Sequence, residues 1–258
     1  MIFKVLLMKL LYYTSTGNNL YISKQLGGEL LSIPQLMKDE CFDIEDDVVG
    51  IVFPCYFATS PKTIREFLSK VNIKADYIFN ICSYGSDGDL NSLKIMKKTL
   101  EKRGMKVNYS NSVKMVDNFL PTFDMAKEKS IKDDSEIDRQ IGLIKEDIEN
   151  RKEYMISKKH FTNVPFIERI LEETMTKKYH IVVGEGCNNC QICTRVCPRG
   201  NIKLDEKPVI GDNCDFCMGC VHHCRFDVLS INDESNPDER YINSHIKVSE
   251  IIKSNNMS

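Results

Sequence analysis

Apolar residues in the first half of the chain fall into short runs, separated by stretches with helical spacing. Residues 2–13 form a β-prone apolar run and predict a buried strand, which can equally begin at Met8. A helical pattern runs from Leu20 to Leu30, and a short strand from Leu30 to Ile33. Val48 to Phe53 is a continuous apolar run of the kind that a parallel sheet buries on both faces. Ser60 and Pro61 read as the N-cap and first position of a helix reaching about Val71. Ala75 to Cys82 predicts another strand. Asp89 starts a helix with Leu90, Leu93, Met96 and Leu100 on one face, stopped by Gly104. Met105 to Met115 contains the next strand. Residues 130–158 are charged and helical, with Ile137, Ile141, Ile144, Ile148 and Met155 on one stripe. His160 to Lys178 holds a second helix broken by Pro165, with Ile167, Ile170, Leu171 and Met175 as its apolar positions.

Strands alternating with helices over short connections predict an α/β, doubly wound parallel sheet. Such sheets bind ligands beyond the carboxyl ends of their strands, where strand order reverses. Loops 14–19, 54–59 and 83–88 all follow strands and share that edge. The first reads Thr14-Ser15-Thr16-Gly17-Asn18-Asn19 and leads into a helix. Hydroxyls, a glycine and the amides of a helix N-terminus suit a monoester phosphate. The loop has no lysine, so it is not an ATP-type P-loop. The alternative is an ordinary strand–helix turn with a Thr or Asn cap. The other loops carry Pro54, Tyr56, Phe57, Ser83, Tyr84 and Gly85. Their aromatic side chains either flank a flat ring or cap a core edge. Cys41, Cys55 and Cys82 read as small buried hydrophobes.

Residues 8 to about 158 resemble a flavodoxin-like domain, whose phosphate loop reads Ser/Thr-x-Thr-Gly-Asn-Thr. Thr14, Thr16, Gly17 and Asn18 match, and Asn19 departs from the last threonine. The resemblance implies FMN, a five-stranded sheet of order 2-1-3-4-5, and ring contacts from tyrosines, since the chain has no tryptophan.

The second half is dominated by an internal repeat. Cys187-x2-Cys190-x2-Cys193-x3-Cys197-Pro198 is followed by Cys214-x2-Cys217-x2-Cys220-x3-Cys224, each cysteine 27 positions after its counterpart. Eight of the 11 cysteines lie there. Two-residue gaps let a chain offer three thiolates to one face of an iron–sulfur cube, while the fourth iron takes a cysteine from elsewhere. A zinc site would use separated cysteine pairs around one ion. A disulfide framework prefers an even count in a secreted chain.

Residues 181–232 resemble a bacterial two-cluster ferredoxin, with Arg225 where proline is usual. In that pattern the fourth cysteine of each run crosses to the other cluster. The resemblance therefore implies one [4Fe–4S] cluster on Cys187, Cys190, Cys193 and Cys224. The other falls to Cys214, Cys217, Cys220 and Cys197. Tyr179 to Val183, Ile202 to Leu204 and Val228 to Ile231 predict the strands of a small α+β unit. His222 and His223, next to Cys224, could tune a cluster by hydrogen bonding or proton coupling; the preferred reading is two solvated loop histidines.

The expected organisation is a flavodoxin-like domain over 1–160, a helical connector over 161–178, a two-cluster ferredoxin domain over 179–232 and a tail over 233–258. The polar tail has a weak apolar pattern at Ile246, Val248, Ile251 and Ile252, and either docks on the first domain or frays. Hydrophobic residues make up 42% of the 258, ample for a core. A net charge of −2 leaves no basic footprint for nucleic acid. From Gly184 to Ser235 eight acidic residues outnumber five basic ones, so redox protein partners with basic docking patches are expected. No membrane span or export signal is visible, and the cysteines suit a reducing compartment, so the cytoplasm of a low-oxygen host is expected.

The chain as a whole resembles the flavodoxin-domain ferredoxins of anaerobes, which implies electron transfer. Three forms of that function remain open: a carrier between larger enzymes, an FMN-dependent reductase fed by its own clusters, and a flavin-less docking domain fused to a ferredoxin. The chain has no Gly-x-Gly-x-x-Gly for a nicotinamide donor.

Overall fold

A computed structural model describes residues 8–85, 90–156 and 167–256. The expectations placed on residues 2–7, on 86–89 and on 157–166, including Pro165, lie outside the described residues.

The first unit runs β1 (Met8–Tyr12), α1 (Asn18–Leu26), β2 (Glu29–Ser32), α2 (Ile33–Lys38), β3 (Asp43–Glu45), β4 (Val48–Pro54) and α3 (Lys62–Lys70). It continues through β5 (Asn72–Lys74), β6 (Tyr77–Tyr84), α4 (Leu90–Glu101), β7 (Tyr109–Lys114), α5 (Met125–Ser130), α6 (Asp134–Glu149) and β8 (Tyr154–Met155). The central sheet has the order β2-β1-β4-β6-β7-β8, and every pairing in it is parallel. Its first five members follow the 2-1-3-4-5 arrangement. The sheet has six strands rather than five, because Tyr154 and Met155 pair with Tyr109 and Ser110.

Successive residues of a strand face opposite sides, and both sides here are covered. Leu10, Tyr12, Val48, Val52, Phe79 and Val113 pack with α1 and with Ile137, Ile141, Ile144 and Ile148 of α6. Leu11, Ile51, Phe53 and Ile78 pack with Ile64 and Phe67 of α3 and with Leu93, Met96 and Leu100 of α4. That two-sided burial explains why the strands read as unbroken apolar runs.

Several boundaries differ from the sequence reading, each for a local reason. The helix expected to reach Leu30 ends at Leu26, because Gly27 and Gly28 take φ values of 88° and 89° and free the chain for β2. The α2 helix, which the apolar pattern does not announce, follows at once with proline in its first turn. The β3–β5 parallel pair is also additional. The α6 helix stops at Glu149, and Arg151 at φ 49° turns the chain back, so Met155 belongs to β8 and not to the helical stripe. The α3 helix starts one residue late, at Lys62, with Pro61 rather than Ser60 at its cap.

The second unit has α7 (Ile167–Lys178), β9 (Ile181–Val183), α8 (Ile192–Val196), β10 (Ile202–Leu204), β11 (Pro208–Ile210), α9 (Gly219–His222) and β12 (Leu229–Ile231). Ile170 of α7 is exposed, contrary to its place in the apolar pattern. β9 pairs antiparallel with β12, and β10 with β11. The tail docks rather than frays: α10 (Val248–Asn255) buries Ile251, Ser254 and Asn255, and packs against α2 and α8.

Candidate functional site

At the carboxyl edge of the sheet lies a cavity of about 320 Å3, a size suited to a small cofactor. Its floor comes from the turn after β1, through Thr14, Ser15, Thr16, Asn18 and Asn19. One wall is Pro54, Tyr56 and Phe57 after β4. Another is Ser83, Tyr84 and Gly85 at the end of β6. All sequence-predicted cofactor residues therefore line it except Gly17, which faces the other way, toward Asn243 and Ile246. Sequence reasoning missed the rest of the lining. Met115, Asp117, Asn118 and Phe119 follow β7. Thr122, Phe123 and Met175 lie farther along, and Phe216, Cys217 and Met218 come from the cysteine repeat. The residues after β7 had a weak signal, since they also follow a strand of the sheet. Gly85 allows this edge to close: a Cβ there would sit 2.2 Å from that of Asp117.

The phosphate-type loop is tightly built. Gly17 adopts φ 103°, and its amide donates to Thr14 Oγ1 at 3.1 Å. The first-turn amides of α1 have no intrahelical acceptor, and its first turn holds no acidic residue. Asn118 Nδ2 donates to Thr16 Oγ1 at 2.7 Å, and the Ser15 and Tyr56 hydroxyls lie 3.0 Å apart. Asn19 spends its amide on the Tyr13 carbonyl at 2.9 Å and leaves Oδ1 buried without a partner. No lysine or arginine is among the described lining residues, so an anion here would rest on amides, hydroxyls and the helix dipole. Burial holds the Tyr56 phenol well above its ordinary pKa, so it remains a neutral hydroxyl.

The wall after β4 is a tight reversal. Tyr56 and Thr59 exchange backbone hydrogen bonds of 2.7 and 2.9 Å around Phe57 and Ala58, whose φ values are 52° and 62°. Side chains rarely tolerate that left-handed region. Here it aims Phe57 at Phe119 and Phe216, with ring centroids 5.8 and 5.9 Å away. Phe216 lies between Cys214 and Cys217, so the aromatic group joins the two units.

The eight cysteines of the repeat gather into two groups. Cys187, Cys190, Cys193 and Cys224 line one small cavity, and Cys197, Cys214, Cys217 and Cys220 line another. All are free thiols. The backbone repeats with the sequence: Asn189 and Phe216 have φ 61° and 59°, and Gln191 and Met218 have φ 60° and 53°. Each such pair is 27 residues apart, as are the starts of α8 and α9. Backbone amides reach the sulfurs, Phe216 N–H to Cys214 Sγ at 3.2 Å and Asn201 N–H to Cys197 Sγ at 3.4 Å. Burial pushes the Cys193 thiol up to about 11, with Cys190, Cys224 and Cys187 adding to it. Thiols so crowded ionise readily only when a cation arrives to take their charge. Among the described residues no three acidic, histidine or cysteine side chains converge on a single-ion site.

Both histidines are buried, at 3% and 2% exposure, and are not the solvated loop residues expected. His222 Nδ1 accepts from the Tyr241 amide at 3.2 Å, so Nε2 carries the proton and donates to the Asn118 carbonyl at 2.9 Å. Burial drives its pKa down to about 3. His223 Nδ1 donates to the Gly219 carbonyl at 2.7 Å. Of the remaining cysteines, Cys82 is buried as expected. Cys41 is exposed, and Cys55 is half-buried on the cavity wall.

The two units meet at a buried carboxylate. Asp215 accepts from the Tyr13 hydroxyl at 2.8 Å, from the Thr63 hydroxyl at 2.6 Å and from the Thr63 amide at 3.1 Å. It thereby caps α3 from the other unit, which explains why Ser60 is not the cap. Arg199 extends the seam to Glu66 through hydrogen bonds of 2.7 and 3.1 Å.

No protein-family model and no curated protein matches the chain. Among solved structures, the two-electron reduced flavodoxin of Megasphaera elsdenii is 15% identical. The match covers 42% of this chain and 85% of that one, with a TM-score of 0.32. A flavoprotein in complex with FMN from Lactobacillus acidophilus is 13% identical over 41% of this chain and 92% of its own, with a TM-score of 0.33. A flavodoxin from the domain Archaea is 13% identical over 55% and 98%, with a TM-score of 0.34. The architecture rests on the parallel sheet and its strand order.

Proposed function

We propose that the protein is an electron carrier that holds two [4Fe–4S] clusters on its repeated cysteines and FMN in the cavity at the sheet edge. The observation that carries this reading is the position of Cys217, which lines both the second four-cysteine cavity and the large cavity. One thiolate thus belongs to a cluster and also touches the flavin site. The residues fit these groups: eight free thiols stand in two sets of four, and the loop offers hydroxyls and free amides without a competing carboxylate in the first turn. FMN supplies two-electron capacity, and clusters pass electrons singly.

The chain's own residues do the rest. Thr14, Ser15 and Thr16 bind the phosphate together with the α1 amides. Tyr56 and Phe57, with Phe119 and Phe216, border the ring and exclude water from the path to Cys217. Asp215 keeps the two units in register.

The two cysteine sets differ in position. None of Cys187, Cys190, Cys193 and Cys224 lines the large cavity, and Cys190 is exposed beside Phe226, itself 51% exposed. The first set is the outer terminal, and the excess of acidic over basic residues between 184 and 235 suits a redox protein with a basic docking patch. No helix among the described residues is long and apolar enough to cross a membrane.

Anaerobic purification followed by iron, sulfide and flavin assays tests the reading. About eight irons per chain and about one FMN are expected. Colourless material with zinc as its only metal rules the reading out.

A further inference from the structure

The cavity accounts for one side of the phosphate-type loop. Its other side is covered by the C-terminal segment, whose sequence carries no recognisable motif. The Tyr241 hydroxyl donates to Asn18 Oδ1 at 2.6 Å, and Asn243 Nδ2 donates to the same oxygen at 3.2 Å. Asn18 in turn donates through Nδ2 to the Val116 carbonyl at 3.3 Å. The Asn243 main-chain N–H donates to the Thr16 carbonyl at 2.8 Å. Asn255 Nδ2 donates to the Thr14 carbonyl at 2.7 Å and to the Val196 carbonyl at 3.1 Å. Asn243 and Asn255 are fully buried, at 1% and 0% exposure. Gly17 leaves room for this layer, since a Cβ on it would lie 3.0 Å from Asn243 and 3.1 Å from Ile246.

The direction of these bonds matters for an anion. A trans peptide is planar, so its C=O and the following N–H point opposite ways. Asn255 draws the Thr14 carbonyl toward the tail, which turns the Ser15 N–H away from the tail. Asn243 draws the Thr16 carbonyl the same way, which turns the Gly17 N–H inward, onto Thr14 Oγ1. Carbonyl oxygens facing the cavity would repel a phosphate, and the clamp keeps two of them out. The Asn255 side-chain amide also holds the carbonyl of Val196, the last residue of α8 and the one before Cys197, so one side chain ties the loop to the cysteine repeat.

We infer that Tyr241, Asn243 and Asn255 are positioning residues for the FMN phosphate, acting from outside the cavity: Asn255 and the Asn243 main chain on the loop carbonyls, Tyr241 and the Asn243 side chain on Asn18. The inference rests on reading the cavity as the flavin site. Riboflavin differs from FMN only in lacking the phosphate, so the two ligands separate this role from general structural support.

The test uses the full chain with its clusters, and reads the dissociation constants of FMN and riboflavin from flavin fluorescence quenching. Asn255→Ala, which removes the Nδ2 bond to the Thr14 carbonyl, should weaken FMN about tenfold, the worth of roughly one hydrogen bond. Asn243→Ala keeps the main-chain bond to Thr16 and loses only the Nδ2 bond to Asn18, so it should weaken FMN by a smaller factor. Riboflavin affinity and iron content should not change. Tyr241→Phe removes one hydroxyl without a cavity, and should weaken FMN by a smaller factor with the same indifference to riboflavin. It decides the matter if the asparagine variants lose iron. Parallel weakening of both flavins, or no change in either, overturns the clamp while leaving the flavin site in place. Wild-type protein that carries iron but binds neither flavin overturns the flavin reading itself and the clamp with it.

Discussion

The Tyr13 hydroxyl donates a 2.8 Å hydrogen bond to the Asp215 carboxylate, joining the end of the first strand to the residue after Cys214. The same carboxylate accepts from Thr63 and caps α3, so one buried anion serves three donors from the other unit. Replacing it leaves those donors buried without an acceptor. Asp215→Ala should lower stability by about 2–4 kcal/mol, the sum of a lost helix cap and unsatisfied buried donors. Urea unfolding monitored by circular dichroism measures it, and an unchanged midpoint would show that the seam is held elsewhere.

The grouping of the cysteines predicts a stepwise loss of iron. Cys193→Ser should reduce iron from about eight to about four per chain, because it opens one four-thiolate set and spares the other. Cys41→Ser, at an exposed position far along the chain from the repeat, should leave iron unchanged. Full iron retention in the Cys193 variant would contradict the assignment.

The loop can be separated from the cysteine repeat by mutation. Replacing Thr16 and Gly17 together removes a cavity hydroxyl and places a side chain at φ 103°, against Asn243 and Ile246. Flavin binding should be abolished with iron content intact. Flavin that stays bound in the double variant would mean that this loop does not hold the phosphate.

Alkaline pH should act through the buried tyrosines. Burial raises the pKa of Tyr13, Tyr56, Tyr77, Tyr109 and Tyr241. Their neutral forms are favoured in the folded chain, whereas unfolded tyrosine ionises near pH 10. Their contribution is therefore fully present below about pH 10 and is lost as pH rises above it. Ultraviolet titration should show phenolate absorbance appearing later in the native protein than in urea. Superimposable titration curves would refute the burial.

Much of this protein is legible without coordinates. The cysteine spacing, the 27-residue repeat and the Thr14–Asn19 turn are contiguous motifs, so the groups that must sit close in space are already close in the chain. The apolar runs at Val48 to Phe53 and Ala75 to Cys82 reveal a sheet buried on both faces because such a sheet leaves no polar alternation. That is why the architecture and nearly the whole cavity floor could be read directly.

What the sequence by itself determined is the set of local chemistries: four thiolates per run, a hydroxyl-rich turn before a helix, and strands that demand cover on two sides. What only the tertiary structure decided is how these meet. Asp215 caps a helix some 150 residues away in the chain, Cys217 reaches the edge of the sheet, His222 and His223 lose their water, and Asn243 and Asn255 close the back of the turn. None of these contacts has a sequence period or fixed spacing, because each depends on where one packed unit comes to rest against another. Burial then turns ordinary polar residues into structural ones.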